Sequence, residues 1–188
     1  LRCLVGSEMC IRDSTAIAVD KISASATAGA AGSGAALGDG VATAGDDGVA
    51  GEEAKAYGVY AAGGAVIDLS AKNSGPIKIN AKAADGTVTN EAYAVYADKG
   101  TVLFGSDAEL NWDGSSGTDN TLVTGLNNGT LGFSGTSADR TVTGGKLQLT
   151  GSNAFRFTTD LANGKADSMT FDTIENNSSK QYLSLIHI

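Results

Sequence analysis

The sequence predicts an all-β fold of the solenoid kind, and three observations point there. Short segments alternate apolar and polar residues, turn-forming Gly, Asn and Asp separate them, and one segment recurs in frame. Alternation places every second side chain on one face of a strand, whereas no stretch holds an apolar stripe at the helical period. An in-frame repeat is the mark of arrays whose units contact only their neighbours. A β-sandwich would give the same alternation, but it supplies no reason for the repeat.

Along the chain, Thr15-Ala16-Ile17-Ala18-Val19-Asp20 is a faint first copy of the recurring segment. Ser23 to Ala54 is Ala/Gly/Ser-rich and reads as a loop, so residues 15–54 are expected to hold a weak coil followed by an excursion. Residues 55–143 carry the repeat itself. Ala56-Tyr57-Gly58-Val59-Tyr60-Ala61 recurs as Ala92-Tyr93-Ala94-Val95-Tyr96-Ala97, an offset of 93 − 57 = 36. The match continues without a gap, setting Gly64 on Gly100, Val66 on Val102 and Ile67 on Leu103. One tyrosine of each pair is expected inside and the other on the outer face. Ile77-Lys78-Ile79-Asn80-Ala81-Lys82 alternates cleanly and puts Ile77, Ile79 and Ala81 on a buried face. Residues 144–182 add Lys146-Leu147-Gln148-Leu149-Thr150, Phe155-Arg156-Phe157-Thr158 and Met169-Thr170-Phe171-Asp172. Asp85-Gly86, Asn128-Gly129, Gly144-Gly145 and Asn163-Gly164 are the turn signals between these segments.

The two ends have a different character. Leu4-Val5-Gly6-Ser7-Glu8-Met9-Cys10-Ile11-Arg12-Asp13-Ser14 back-translates to a sequence that resembles the adapter and transposon mosaic end of sequencing libraries. The reverse complement of its last part translates to Leu183-Ser184-Leu185-Ile186-His187-Ile188, the other end of the chain. One element on both strands accounts for both termini, so residues 1–14 and 183–188 are expected to be adapter artefact and the protein to be a fragment.

Setting the ends aside removes chemistry. Cys3, Cys10 and His187 are the only thiols and the only imidazole, and all lie in them. Residues 15–182 therefore lack a Cys–His nucleophile, a Ser-His-Asp triad and an ordinary zinc site. A formal net charge of −8 argues against nucleic acid and anionic membrane as partners. Gly38-Asp39-Gly40 and Gly45-Asp46-Asp47-Gly48 are similar to calcium-binding Gly/Asp repeats but lack their nonapeptide period, and read as a solvated loop. Asp46-Asp47 and Glu52-Glu53 would serve a glycosidase only if rigidly placed, which a glycine-rich run does not provide. No cofactor and no metal site is expected.

The stretch from Gly144 to Phe171, with Phe157-Thr158-Thr159-Asp160-Leu161, the turn Asn163-Gly164, then Ala166-Asp167 and the apolar strand Met169-Thr170-Phe171, resembles a known family. It is similar to the last coils of the passenger domain of pertactin-like autotransporters of Gram-negative bacteria, the autochaperone region. The resemblance implies a right-handed parallel β-helix, secreted and displayed at the bacterial cell surface. It also implies a C-terminal translocator barrel as the partner, and adhesion to host or bacterial surface ligands as the outcome. On that reading Leu147, Leu149, Phe155, Phe157, Leu161, Met169 and Phe171 form the core of a folding seed. Their burial stabilises by about 1.5–3 kcal/mol each, which makes this end the expected most stable block. Asp160 and Asp167 bracket the Asn163-Gly164 turn and are expected to accept its backbone N–H groups. The sequence thus points to a non-enzymatic β-helix stalk. The competing readings are a carbohydrate-active β-helix enzyme and a two-partner exoprotein or phage fibre.

Overall fold

The structure, a computed structural model, describes residues 15–29, 50–110 and 123–187. The Gly/Asp clusters at 38–48, residues 1–14 and Trp112 lie outside them. The described residues form strands and no helix. They fall into successive layers along the chain. The first holds β1 (Thr15–Ala18) and β2 (Lys21–Thr27). The second holds β3 (Glu53–Ala62), β4 (Val66–Ser70) and β5 (Ile77–Ala84), and the third β6 (Thr89–Asp98), β7 (Thr101–Phe104) and β8 (Ala108–Leu110). The fourth opens with β9 (Val123–Asn127) and β10 (Thr130–Phe133). The long β11 (Thr141–Asp160), the two-residue β12 (Lys165–Ala166) and the long β13 (Ser168–His187) complete the chain.

Layers are joined by parallel pairing into three ladders. A tyrosine ladder runs β3-β6-β9 and on to residues 146–150 of β11. A phenylalanine ladder runs β1-β4-β7-β10 and on to residues 154–156 of β11. An isoleucine ladder runs β2-β5-β8 and on to residues 142–143 of β11. β13 then pairs in parallel with β11 along nearly its whole length, with one register shift at Gly151/Ser152. Each layer visits the ladders in one order: tyrosine, phenylalanine, isoleucine. The result is a curled, parallel, all-β sheet. Its one antiparallel pairing between strands is the hairpin of β11 with β12.

Identical inward positions stack from layer to layer. Ile17, Leu69, Phe104 and Phe133 line up in the phenylalanine ladder, and Val59, Val95, Thr124 and Leu147 in the tyrosine ladder. These columns form the core, in which Ile67, Leu69, Ile77, Ile79, Phe104 and Phe133 are fully buried. The predicted Ile77, Ile79 and Ala81 face is buried as expected. Beyond this core β2, β3, β5 and β6 run on into a thin lip filled by alanine alone, Ala24, Ala28, Ala54, Ala56, Ala81, Ala83 and Ala92. The Ala-rich composition there is what lets two strand layers close on each other without a void.

The corner from the tyrosine to the phenylalanine ladder is short in every layer. One residue in the left-handed region stands there each time: Gly63 (φ 61°), Lys99 (φ 55°), Asn128 (φ 50°) and Gly151 (φ 73°). Gly129 follows Asn128 because a Cβ on it would meet the Ala97 carbonyl oxygen at 2.5 Å.

Four expectations are corrected. The 36-residue repeat sets the register of β3 on β6, Tyr57 on Tyr93 and Tyr60 on Tyr96, but Ile67 pairs with Val102, not Leu103. The second layer turns its corner with one residue more than the third, which shifts the frame. The faint copy at residues 15–20 stacks on β4 in the phenylalanine ladder, out of frame with the tyrosine segment. Gly144-Gly145 lies inside β11 and makes no reversal, because a parallel layer turns its corner without leaving the strand direction. Asn128-Gly129 is a corner between parallel strands and not a hairpin turn.

Candidate functional site

Leu147 and Leu149 of the predicted folding seed are buried, while Phe155, Phe157, Met169 and Phe171 are partly buried and pack against the core. Leu161 is the exception. It stands 71% exposed in the turn between β11 and β12, outside any core. The hairpin folds away from the ladders, so its side chain has no layer to stack on. The completely enclosed large side chains lie mostly upstream, from Ile67 to Val142, so burial is deepest in the middle layers and not at the C-terminal end.

The two aspartates around the turn do different things. Asp160 accepts from the backbone N–H of Asn163 (3.2 Å) and from its Nδ2 (2.6 Å), as expected of a turn residue. The Asn163 side chain chiefly holds its carboxyl below the usual range. Asp167 is no turn acceptor. It is buried and pairs with Arg140, a residue that no sequence motif marked.

That pair is closed on itself. Arg140 Nε donates to Asp167 Oδ1 (3.0 Å) and Nη2 to Asp167 Oδ2 (2.9 Å), a two-pronged bridge. Nη2 also reaches Thr158 Oγ1 (3.3 Å), and Nη1 donates to the carbonyls of Phe104 (3.2 Å) and Ser134. All five guanidinium N–H groups are thereby used. Asp167 also accepts the backbone N–H groups of Arg140 (3.1 Å) and Thr158 (2.8 Å). The guanidinium carbon sits 5.0 Å from the centre of the Phe133 ring. Side-chain exposure is 8% for Arg140 and 0% for Asp167. Water is excluded, no donor or acceptor is left over for a substrate, and the groups bridged belong to three successive layers. The arrangement can hold the corner between the phenylalanine and isoleucine ladders; it has nothing free with which to do acid–base work.

On the outer face of the tyrosine ladder stand Tyr57, Tyr60, Tyr93 and Tyr96. All four are half-buried and outward, which corrects the expectation of one inside and one outside per pair. Strict alternation would separate residues three apart, but Gly58 and Val59 are both buried, as are Ala94 and Val95. That slip in phase returns the second tyrosine to the outer side. Tyr57 stacks on Tyr93 (5.3 Å, 6°) and Tyr60 on Tyr96 (5.7 Å, 14°). Below them lies Gly125, where a Cβ would be 2.5 Å from Tyr96 Cδ2 and 2.9 Å from Tyr93 Cε1. Tyr93 and Tyr96 thus have ring faces covered by neighbours and by glycine backbone, which leaves little of them for stacking on a sugar. Burial, then Glu91, pushes the Tyr93 hydroxyl up to about 12.

The remaining charged groups form open surface pairs such as Lys55 with Glu53, Lys146 with Glu175 (2.5 Å) and Lys165 with Asp139. Among the described residues no three His, Cys, Asp or Glu side chains gather as a metal site would require. Compared with known proteins, the chain matches no family, no curated protein and no solved structure.

Proposed function

We propose that the chain is a run of coils from a right-handed parallel β-helix, and that its work is structural: a stalk within a secreted, surface-displayed passenger of the autotransporter kind. The observation that carries this reading is the order of the ladders. Every layer visits the tyrosine, phenylalanine and isoleucine ladders in the same sequence, with parallel pairing to the next layer. A parallel connection within one sheet is right-handed in about 98% of cases, which gives the coil its hand. Units that contact only their neighbours make a rod that lengthens by addition and needs no other partner to stay folded.

The C-terminal coils act as the seed. β13 lies along β11 through three ladders in succession, so ordering one presents a complete template to the other. Leu147 and Leu149 anchor this block, with Phe155, Phe157, Met169 and Phe171 packed on it. Adhesion to host or bacterial surfaces and anchoring through a translocator barrel rest on the family resemblance of residues 144–171. The non-enzymatic reading draws support from the Arg140–Asp167 pair, whose hydrogen-bonding capacity is spent within the fold.

The parent gene tests the proposal. Past the codon for Tyr182 it is expected to encode further apolar strands and then alternating segments of about ten residues, the pattern of a membrane barrel. A tag in the Ala/Gly-rich stretch is expected to be reachable by antibody on intact cells. A gene that ends after further coils, with no barrel and no surface label, overturns the secretion route. Pulsed hydrogen exchange during refolding tests the seed: residues 144–182 are expected to gain protection first, and earlier protection of residues 59–133 refutes that role.

A further inference from the structure

Three described turns pair an acidic or amide residue with glycine: Asp85-Gly86, Asn128-Gly129 and Asn163-Gly164. Such pairs share one chemistry. The glycine backbone nitrogen can attack the preceding side-chain carbonyl carbon, because no Cβ hinders the approach. Whether it does depends on how firmly the glycine N–H and the side chain are held.

In the first two turns a second asparagine holds the glycine amide. Gly86 donates its N–H to Asn90 Oδ1 (2.8 Å), and Asn90 Nδ2 returns a bond to the Gly86 carbonyl (3.1 Å). Gly129 donates to Asn153 Oδ1 (3.0 Å), and Asn153 is fully buried. The Asn128 side chain is itself fixed at both ends. Its Oδ1 accepts the Ser152 N–H (3.0 Å) and its Nδ2 donates to Asn127 Oδ1 (3.0 Å).

The third turn has no such clamp. The Gly164 N–H reaches only the Leu161 carbonyl, at 3.4 Å, and residues 161–164 are all exposed. Asn163 is tied to Asp160 by two bonds on the open surface, which cost little to break in water. Gly164 already adopts φ 65°.

We infer that Asn163 is a site of spontaneous deamidation in the folded protein, and that Asn90 and Asn153 protect the two other turns from the same chemistry. The step balances simply. The Gly164 nitrogen forms a bond to Asn163 Cγ and loses its proton to solvent, and the side-chain amide leaves as ammonia after taking up a proton. Water then opens the resulting succinimide at either carbonyl, giving aspartate or isoaspartate. Either product sets a new carboxylate beside Asp160, where two bonds previously held the turn. The isoaspartate also lengthens the backbone by one carbon inside the hairpin that leads into Asp167. The turn is therefore a point at which the folded protein ages, one layer from its buried ion pair.

The test is peptide mapping by mass spectrometry of the full chain held at mildly alkaline pH, folded and in urea. Folded protein is expected to convert Asn163 at least about tenfold faster than Asn128. Holding a glycine amide closed by only ~1.4 kcal/mol already slows attack by that factor. In urea the two asparagines should react at similar rates, and Gly164→Ala should slow Asn163 in both conditions. Equal rates at Asn163 and Asn128 in the folded protein overturn the inference. So does survival of Asn163 in the folded chain while it reacts in urea.

Discussion

Replacing Asp167 with alanine is the sharpest test of how this fold is held. The substitution removes two bonds to the Arg140 guanidinium, at 3.0 and 2.9 Å, and two backbone N–H bonds, at 3.1 and 2.8 Å. It leaves a guanidinium that is only 8% exposed without its counter-charge. Breaking a buried pair from one side costs about 3–5 kcal/mol, because the remaining charge stays desolvated. That is a large share of the roughly 5–15 kcal/mol that holds an ordinary domain together. The loss is local, since Arg140 also bonds the carbonyls of Phe104 and Ser134 in the neighbouring layers. Urea unfolding followed by far-ultraviolet circular dichroism should therefore show a lower midpoint and a shallower slope, as the last layers open before the rest. Lys165→Ala is the control, because its pair with Asp139 is 51% and 61% exposed and contributes about 0–1 kcal/mol. An Asp167→Ala variant within about 1 kcal/mol of the parent, no worse than a surface pair, would refute the reasoning.

Three other outcomes follow from the same structure. Thr124 is fully buried between Val95 and Leu147 with an unpartnered Oγ1, so Thr124→Val should raise stability by about 1 kcal/mol, read as a higher urea midpoint at unchanged slope. Gly125→Ala should cost about 1–3 kcal/mol and alter the near-ultraviolet signal of the tyrosines, because its Cβ would push Tyr93 and Tyr96 out of their stacks. Tyr93 should ionise near 12 in the folded protein against 10.0 in its ordinary state. A raised folded-state value means its contribution is fully present below pH 10 and is lost as pH rises towards 12. A tyrosinate absorbance titration in which all the tyrosines ionise together near 10 would contradict that.

Much of the fold was legible because a stacked array writes its geometry into the sequence. The segments around Tyr57 and Tyr93 pair at the spacing their repeat implies, and Ile77, Ile79, Leu147 and Leu149 point inward as their alternation requires. The misreadings have physical causes. A phase slip at Gly58 and Ala94 reversed the facing of one tyrosine in each pair, and periodicity alone cannot register a slip. One added corner residue moved the frame at Ile67. Leu161 is apolar, yet it tops a hairpin that has no layer above it. Arg140 escaped notice because its partner lies a whole layer away, where no local motif can reach. Its spacing from Asp167, 27 residues, becomes meaningful only once the layer length is known. The strand pairing of β13 runs on through His187, as the alternation of Leu183-Ser184-Leu185-Ile186 permits against the open edge of β11.

The constancy of one corner has a consequence for how such a gene can change. The step from the tyrosine to the phenylalanine ladder takes two or three residues in each of the second, third and fourth layers, whereas the step from the isoleucine ladder back to the tyrosine ladder varies widely. After β2 it spans residues 28–52, while within β11 it is spanned by residues 144–145. Codons gained or lost at the variable step change only how far the alanine lip or loop projects; they leave the pairing of the layers above and below intact. The same change at the short corner would shift every inward side chain of the next strand to the outside. Lineages carrying this fold should accordingly accumulate insertions along one edge of the rod and almost none along the other.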